Sequence, residues 1–134
     1  MIKGLNHVAI AVKNVEETAK VFEKILGVKA SKAEVMPEHG VKACTIPLGN
    51  AHIELMEPLD ANGGIAKFIE KTGGGLHHIS LAVADIDGAL KTVESKGGAL
   101  IDKQGRKGID GKIGFVHPKT LGVLLELTEP EHKH

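Results

Sequence analysis

Two histidines and two glutamates occupy corresponding positions in the two halves of this 134-residue chain. His7 lies in the apolar segment LNHVAIAV, and His78 lies 71 residues later in the similar segment LHHISLAV. Glu54 in AHIELME and Glu126 in VLLELTE are 72 residues apart. Imidazole nitrogens and carboxylate oxygens are common ligands of divalent metal ions, so these four side chains are candidate ligands of a metal site built by internal duplication.

Each of these residues also has a simpler interpretation. A single histidine in an apolar strand is more often structural than a ligand, and a strand glutamate more often faces solvent. Two carboxylates that converge without a cation would also repel each other. Because the repeat associates each glutamate with a histidine, the metal site is favoured over these alternatives.

Alternation along the first strand of each half separates two environments. His7 and His78 lie on faces that otherwise carry mostly small side chains, and such a face leaves room for a cavity. His77 lies on the bulky face of the second strand, and we predict a structural role for it. The bulky faces, typical of packing against a helix, comprise Val8, Ile10 and Val12 in the first half and Ile79, Leu81 and Val83 in the second.

A helix is predicted after each of these strands. Asn14 is the predicted N-cap of the first helix, which Gly27 ends, and Asp85 is the predicted N-cap of the second, which Gly97 and Gly98 end. Apolar residues recur on one face of each helix: Val15, Ala19, Phe22, Ile25 and Leu26 in the first, and Ile86, Ala89, Leu90 and Val93 in the second.

Three further strands are predicted in each half, at residues 28–36, 41–48 and 51–57 and at residues 99–104, 112–118 and 122–129. A short helix in the segment IAKFIEK joins the halves, and the three glycines that follow end it. The pattern predicts an α+β fold of two tandem βαβββ modules. We expect a single domain over residues 1–134, with module one at about 1–58, the linker helix at about 59–75 and module two at about 76–134.

The composition excludes several classes of protein. The 17 Lys and Arg residues balance the 17 Asp and Glu residues, so no excess of positive charge is present to bind nucleic acid. No apolar run is long enough to span a membrane, and the N-terminus lacks a signal pattern, so we expect a cytoplasmic protein without a membrane partner. The single cysteine, Cys44, excludes an intrachain disulfide and is expected to serve packing.

The duplicated halves, with histidine on the first strand and glutamate on the last, resemble the vicinal oxygen chelate superfamily, which includes glyoxalase I. The segments PEHGV, LGNAHIELMEPL, IAKFIEKTGGGLHHISLAV and HPKTLGVLLEL resemble its methylmalonyl-CoA epimerase family. This resemblance implies a curled eight-stranded mixed sheet around a metal-binding cavity. It also implies metal ligands at His7, His78 and Glu126, with Glu54 where some members have glutamine.

The resemblance implies a metal-dependent epimerase that interconverts (2R)- and (2S)-methylmalonyl-CoA by C2 proton abstraction and return through a metal-stabilised enolate. Glu126 is the expected catalytic base, and Co²⁺ is the expected ion, with Mn²⁺, Ni²⁺ or Zn²⁺ as alternatives. Some relatives have a second catalytic glutamate where this chain has Ala43. The second base is therefore open, with Glu38, His39 and Lys42 nearby in sequence.

Basic residues are expected to contact the substrate. An acyl-CoA substrate carries several negative charges, and Arg106 and Lys119 are candidates to contact it. We also expect a homodimer. A glyoxalase I type lyase would use a similar set of ligands, whereas a metal-free ligand-binding module would need none.

Overall fold

The computed structural model describes residues 1–109 and 111–131. Each half consists of a strand, a helix and three strands, as the sequence predicts, and a helix connects the halves. The elements are β1 (Ile2–Ala11), α1 (Val15–Leu26), β2 (Glu34–Met36), a 3₁₀ turn (Pro37–His39), β3 (Val41–Pro47), β4 (His52–Pro58), α2 (Gly64–Thr72), β5 (Gly75–Val83), α3 (Ile86–Ser95), β6 (Arg106–Lys107), β7 (Gly111–Val116), α4 (Pro118–Leu121) and β8 (Leu125–Pro130). Among the described residues, no helix combines the length and the apolar character that a membrane crossing requires.

The chain divides into two compact units. The first comprises His7–His77, and the second comprises Met1–Asn6 together with the part of the chain that begins at His78. In the first unit the strand order is β2-β3-β4-β1, with β1 parallel to β4 and the other neighbours antiparallel. In the second unit the order is β5-β8-β7-β6, again with one parallel pair, β5 and β8. The sheet pairing thus repeats with the sequence.

Both long helices begin at the predicted cap. The Asn14 side chain accepts a hydrogen bond from the Glu17 amide at 3.0 Å, and the Asp85 side chain accepts one from the Gly88 amide at 3.3 Å. The first helix ends at Gly27, whose φ of 69° lies in the left-handed region that glycine adopts without strain. These contacts satisfy backbone groups that the helix itself cannot pair.

A second acceptor, missed from the sequence, serves the first turn of each helix. Glu57 Oε1 on β4 accepts from the Val15 amide at 2.8 Å, and Glu129 Oε1 on β8 accepts from the Ile86 amide at 3.1 Å. A carboxylate at a helix N-terminus also interacts favourably with the helix dipole. The signal was present in the repeated segments ELMEP and ELTEP, in which these glutamates occupy the same position.

The predicted apolar faces are confirmed only in part. Ile86, Ala89 and Leu90 of α3 are buried, and Val93 packs against their cluster. In α1, Val15 is buried and Phe22 packs against its cluster. Ile25 and Leu26 are instead 70% and 64% exposed, so the predicted face of α1 was too long. Helical periodicity identifies the apolar face of a helix, but it does not show how much of that face is buried against other elements.

The predicted strand 28–36 was too long, and the predicted strand 99–104 was misplaced, because the corresponding strand, β6, lies at Arg106–Lys107. Only residues 34–36 form a strand in the first, and the second makes one isolated bridge, from Leu100 to Val116. In each segment a side-chain oxygen accepts a hydrogen bond from a backbone amide of the neighbouring strand. Ser31 Oγ accepts from the Thr45 amide at 2.9 Å, and Asp102 Oδ2 accepts from the Phe115 amide at 2.8 Å. Side-chain acceptors therefore replace part of the backbone ladder that a continuous strand would form.

Candidate active site

The first unit brings together His7 and Glu54, which we call the first pair. His7 Nε2 lies 3.8 Å from Glu54 Oε2. The parallel pairing of β1 with β4 sets Ala9 beside Glu54, and this small residue shares the face of the histidine. Both members of the pair are buried, with 6% and 7% exposure. Their burial removes the interpretation of Glu54 as a solvent-facing strand residue.

His52 is a third side chain of this unit that could hold a metal ion. Its ring stacks on the ring of His7, with 5.0 Å between centroids, and one ligand atom from each of His7, His52 and Glu54 lies within 4.8 Å of the others. Burial, together with a smaller effect of the nearby His52, lowers the pKa of His7 to about 4. The His7 imidazole is therefore neutral at pH 7, which is the form that binds metals.

Cys44 lies near the first pair but has the properties of a packing residue. It is buried in a cluster with Val15, Ile46 and Leu55. Burial raises the pKa of the Cys44 thiol, and the negative charge of Glu54 raises it further. Because the thiolate is the reactive form, this environment disfavours a nucleophilic role.

The second unit brings together His78 and Glu126, which we call the second pair. His78 Nε2 lies 3.6 Å from Glu126 Oε2, and the two residues are only 4% and 5% exposed. The parallel pairing of β5 with β8 sets Ser80 beside Glu126. Burial raises the pKa of Glu126, while a hydrogen bond from Thr128 opposes that rise. A carboxylate with a raised pKa is a stronger base than an exposed one.

Two buried hydroxyl groups accompany the second pair. Thr128 Oγ1 donates to Glu126 Oε1 at 2.8 Å, and Ser80 Oγ lies 2.6 Å from Thr128 Oγ1. Alternation in the sequence places Ser80 on the face of His78 and Thr128 on the face of Glu126. The contact itself was missed, because it depends on the register of β5 against β8.

An aromatic ring and the only arginine of the sequence lie near the second pair. The Phe115 ring meets the His78 ring edge to face, with 5.3 Å between centroids. The Arg106 guanidinium carbon is 5.6 Å from the centroid of Phe115, and Arg106 Nε donates to Asp102 Oδ1 at 3.1 Å. The positive charge of Arg106 also acts to lower the pKa of Glu126. Arg106 is therefore held near the second pair by a ring and a carboxylate.

Each pair fits a divalent metal ion by its chemistry. Two ligands bound about 2.1 Å from one ion at right angles are about 3 Å apart, which is close to the 3.8 Å and 3.6 Å separations. The neutral imidazole of His7 does not compensate the charge of the buried Glu54 carboxylate, whereas a cation would do so. Both pairs offer the mixed nitrogen and oxygen ligands that suit Co²⁺, Mn²⁺, Ni²⁺ or Zn²⁺.

The remaining candidates have other surroundings. His77 packs edge to face against Phe68 of α2 at 4.9 Å, which agrees with its predicted structural role. Lys42 forms an ion pair with Glu16 of α1. Lys119 is exposed in the short helix α4. Ala43 is buried in a cluster of apolar residues, Ala9, Val41 and Met56.

The sequence matches a family model over most of its length. The chain belongs to the Glyoxalase/Bleomycin resistance protein/Dioxygenase superfamily, whose model matches residues 6–115. This assignment confirms the predicted superfamily and its fold of two βαβββ modules.

Within the superfamily, several of the similar proteins are methylmalonyl-CoA epimerases. The human mitochondrial methylmalonyl-CoA epimerase is 41% identical over 128 residues, which cover 93% of this chain and 73% of that protein. The crystal structure of methylmalonyl-CoA epimerase from Mycobacterium tuberculosis matches with a TM-score of 0.90 and 34% identity, covering 98% of this chain and 90% of that one. A methylmalonyl-CoA epimerase in complex with methylmalonyl-CoA and NH₄⁺ also has a TM-score of 0.90, at 28% identity, covering 97% and 96% of the two chains. The predicted family resemblance is confirmed.

Proposed function

We propose that this protein is a metal-dependent epimerase that interconverts (2R)- and (2S)-methylmalonyl-CoA. The observation that carries the proposal is the presence of two buried His–Glu pairs at repeat-related positions in a chain that has several methylmalonyl-CoA epimerases among its relatives. Epimerisation requires removal of the proton from C2 and its return on the opposite face. The protein must therefore supply a base and must stabilise negative charge on the substrate.

We propose His7, Glu54, His78 and Glu126 as the ligands of one divalent ion, with Co²⁺ as the preferred metal and Mn²⁺, Ni²⁺ or Zn²⁺ as alternatives. The burial of all four side chains and the neutral form of His7 support this set. When bound, the ion supplies a fixed positive charge at the thioester oxygen, where negative charge develops.

Glu126 is the proposed base for the C2 proton. Its raised pKa increases its affinity for a proton, and the hydrogen bond from Thr128 engages Oε1 while Oε2 lies on the side of His78. Return of a proton on the opposite face requires a second group, and Glu38 and His39, which lie close to Ala43 in sequence, are the main candidates. Lys42 is a weaker candidate because Glu16 already engages its ammonium group.

The proposed substrate is an acyl-CoA, as bound by the structural relative described above. Arg106 is the better of the two candidate basic contacts, since Asp102 and Phe115 hold its guanidinium near the second pair. Lys119 is exposed and would act as a surface charge. Neither nucleic acid nor a membrane is proposed as a partner, in keeping with the balanced charge.

We further propose a cytoplasmic homodimer. Helix α1 exposes three large apolar side chains, Val21, Ile25 and Leu26, and exposed apolar surface of this kind is typical of association sites. Light scattering in solution measures the mass of the assembly, and cell fractionation measures the location.

The proposed reaction is tested by following C2 epimerisation of methylmalonyl-CoA by NMR, with metal analysis of the same sample. We expect about one divalent ion per assembled site, activity that a chelator abolishes, and recovery on addition of Co²⁺. The hemithioacetal of methylglyoxal and glutathione is the control substrate for a glyoxalase I type reaction. Turnover of the hemithioacetal alone would contradict the proposal, and full activity after complete removal of metal would contradict the role of the ion.

A further inference from the structure

The two hydroxyl groups beside Glu126 are among the most deeply buried polar groups in the described chain. Ser80 is 0% exposed and Thr128 is 1% exposed. They lie on neighbouring parallel strands, where Ser80 pairs with Glu126 and Ala82 pairs with Thr128. Burial of a hydroxyl group is costly unless it is hydrogen-bonded, so this arrangement requires the two groups to satisfy each other and the carboxylate.

The three groups form a directional hydrogen-bond chain. An ionised carboxylate only accepts, so Thr128 is the donor of the 2.8 Å contact to Glu126 Oε1. Ser80 Oγ is then the donor of the 2.6 Å contact with Thr128 Oγ1, and Ser80, like Thr128, also acts to lower the pKa of Glu126. Glu126 Oε1 is thereby engaged, and Oε2 lies 3.6 Å from His78 Nε2. The chain therefore distinguishes the two oxygens of the carboxylate.

The first unit carries no hydroxyl group at the two positions that correspond to Ser80 and Thr128. The residues at the repeat-related positions are Ala9 and Met56, which carry no hydroxyl group. They flank Glu54 in the same register, since Ala9 pairs with Glu54 and Ala11 pairs with Met56. The fold thus accommodates aliphatic side chains at both positions, and packing alone does not require serine and threonine there.

We propose that Ser80 and Thr128 are positioning residues that hold the Glu126 carboxylate in one orientation, with Oε1 engaged and Oε2 directed to the His78 side. The inference rests on the proposed function, in which Glu126 is both a ligand and the base. Orientation of a ligand and base by buried partners lowers the reorganisation required during the reaction. Its loss should act on the rate of the chemical step more than on substrate binding.

The test compares Thr128→Val, Thr128→Ser and Ser80→Ala in metal-loaded protein. Val has nearly the shape of Thr without the hydroxyl group, whereas Ser retains it. We expect Thr128→Val to lower kcat by about 10-fold to 100-fold, the range found when partners of metal ligands are removed, with little change in KM. Ser80→Ala should have a smaller effect in the same direction, and Thr128→Ser should restore most of the rate.

A second readout does not depend on turnover. In Co²⁺-loaded protein, Thr128→Val should change the visible absorption of the ion, because the carboxylate ligand is reoriented. Thr92→Val is the matched control, since its hydroxyl group bonds to the Gly88 carbonyl oxygen on α3 and does not touch Glu126. The control should leave both kcat and the spectrum unchanged.

The outcomes separate this inference from the proposed function. A Thr128→Val protein with wild-type kcat and an unchanged cobalt spectrum would overturn the positioning role while the wild type still epimerised its substrate. Equal losses in Thr128→Val and Thr92→Val would also overturn it, because they would reflect stability alone. If Thr128→Val does not fold, Ser80→Ala with a wild-type rate and spectrum would overturn it. A wild type without epimerase activity would contradict the proposed function, and the cobalt spectra would still test the orientation of Glu126.

Discussion

The first and second pairs have the same residue types and the same strand positions but different neighbours. His7 and Glu54 are accompanied by a second imidazole, His52, and by aliphatic side chains. His78 and Glu126 are accompanied by two hydroxyl groups and by an aromatic ring. Duplication thus supplied two equivalent His–Glu pairs, and the different residues around them distinguish the pairs. On our proposal, the first pair serves the ion and the second serves both the ion and the proton.

The largest expected effect distinguishes the two glutamates. Glu126→Gln should slow C2 hydrogen–deuterium exchange of the substrate in heavy water by about 10²-fold to 10⁴-fold, the usual contribution of a general base. Glu54→Gln should reduce it by less than about tenfold, because the amide oxygen remains a metal ligand. NMR of the C2 proton measures both rates. Equal rates in the two variants would show that the two pairs share one role.

A pH-dependent loss of stability should come from the first pair. The pKa of His7 is about 4 in the fold, against 6.5 when unfolded, so the unfolded chain binds the proton more readily. In metal-free protein the stabilisation present above pH 6.5 should fall by about 3 kcal/mol as the pH is lowered to 4.

Denaturant unfolding in the presence of a chelator measures this change. His7→Asn should flatten the dependence on pH between 6.5 and 4, because the titrating group is removed. An unchanged slope in that variant would assign the loss to other residues.

The smallest expected effect concerns the glutamate at the first turn of each long helix, a contact that both halves share. Glu57→Ala and Glu129→Ala each remove an acceptor from the first turn of a helix and should each reduce stability by about 1 kcal/mol. Glu23→Ala, on the exposed side of α1, is the control and should change stability little. Thermal unfolding provides the measurement. A substantial loss in only one of the two variants would show that this contact no longer has equal weight in both halves.

The elements of the fold were largely predictable because they depend on short-range pattern. Alternation identified the faces of β1 and β5, and capping residues identified the start of α1 and α3 and the end of α1. The prediction of a strand at residues 99–104 was wrong. There the Asp102 side chain, not the backbone, accepts the hydrogen bond from the Phe115 amide, and strand propensity does not anticipate such a contact. The exposure of Ile25 and Leu26 depends on how far the packing partner extends, and helical periodicity carries no such information.

The environment of the candidate site was less predictable than its residues. The duplicated histidines and glutamates followed from a comparison of the two halves, and the structure places the members of each pair within 4 Å. The hydrogen bonds to Glu126 depend on which residues of β8 pair with which residues of β5. The alternation of side chains along a strand predicts the two faces but not this pairing. Likewise, His52 has no partner in the repeat, so the comparison of halves passed over it, although it stacks on His7.

The outermost strand in each order is very short, with three residues in β2 and two in β6. An edge of this length presents few unpaired amide and carbonyl groups to a strand from another molecule. Each half of the duplicated chain thus carries its own protection against templated growth into amyloid-like fibres. Such protection matters for a β-rich protein that a cell must keep dispersed at working concentrations.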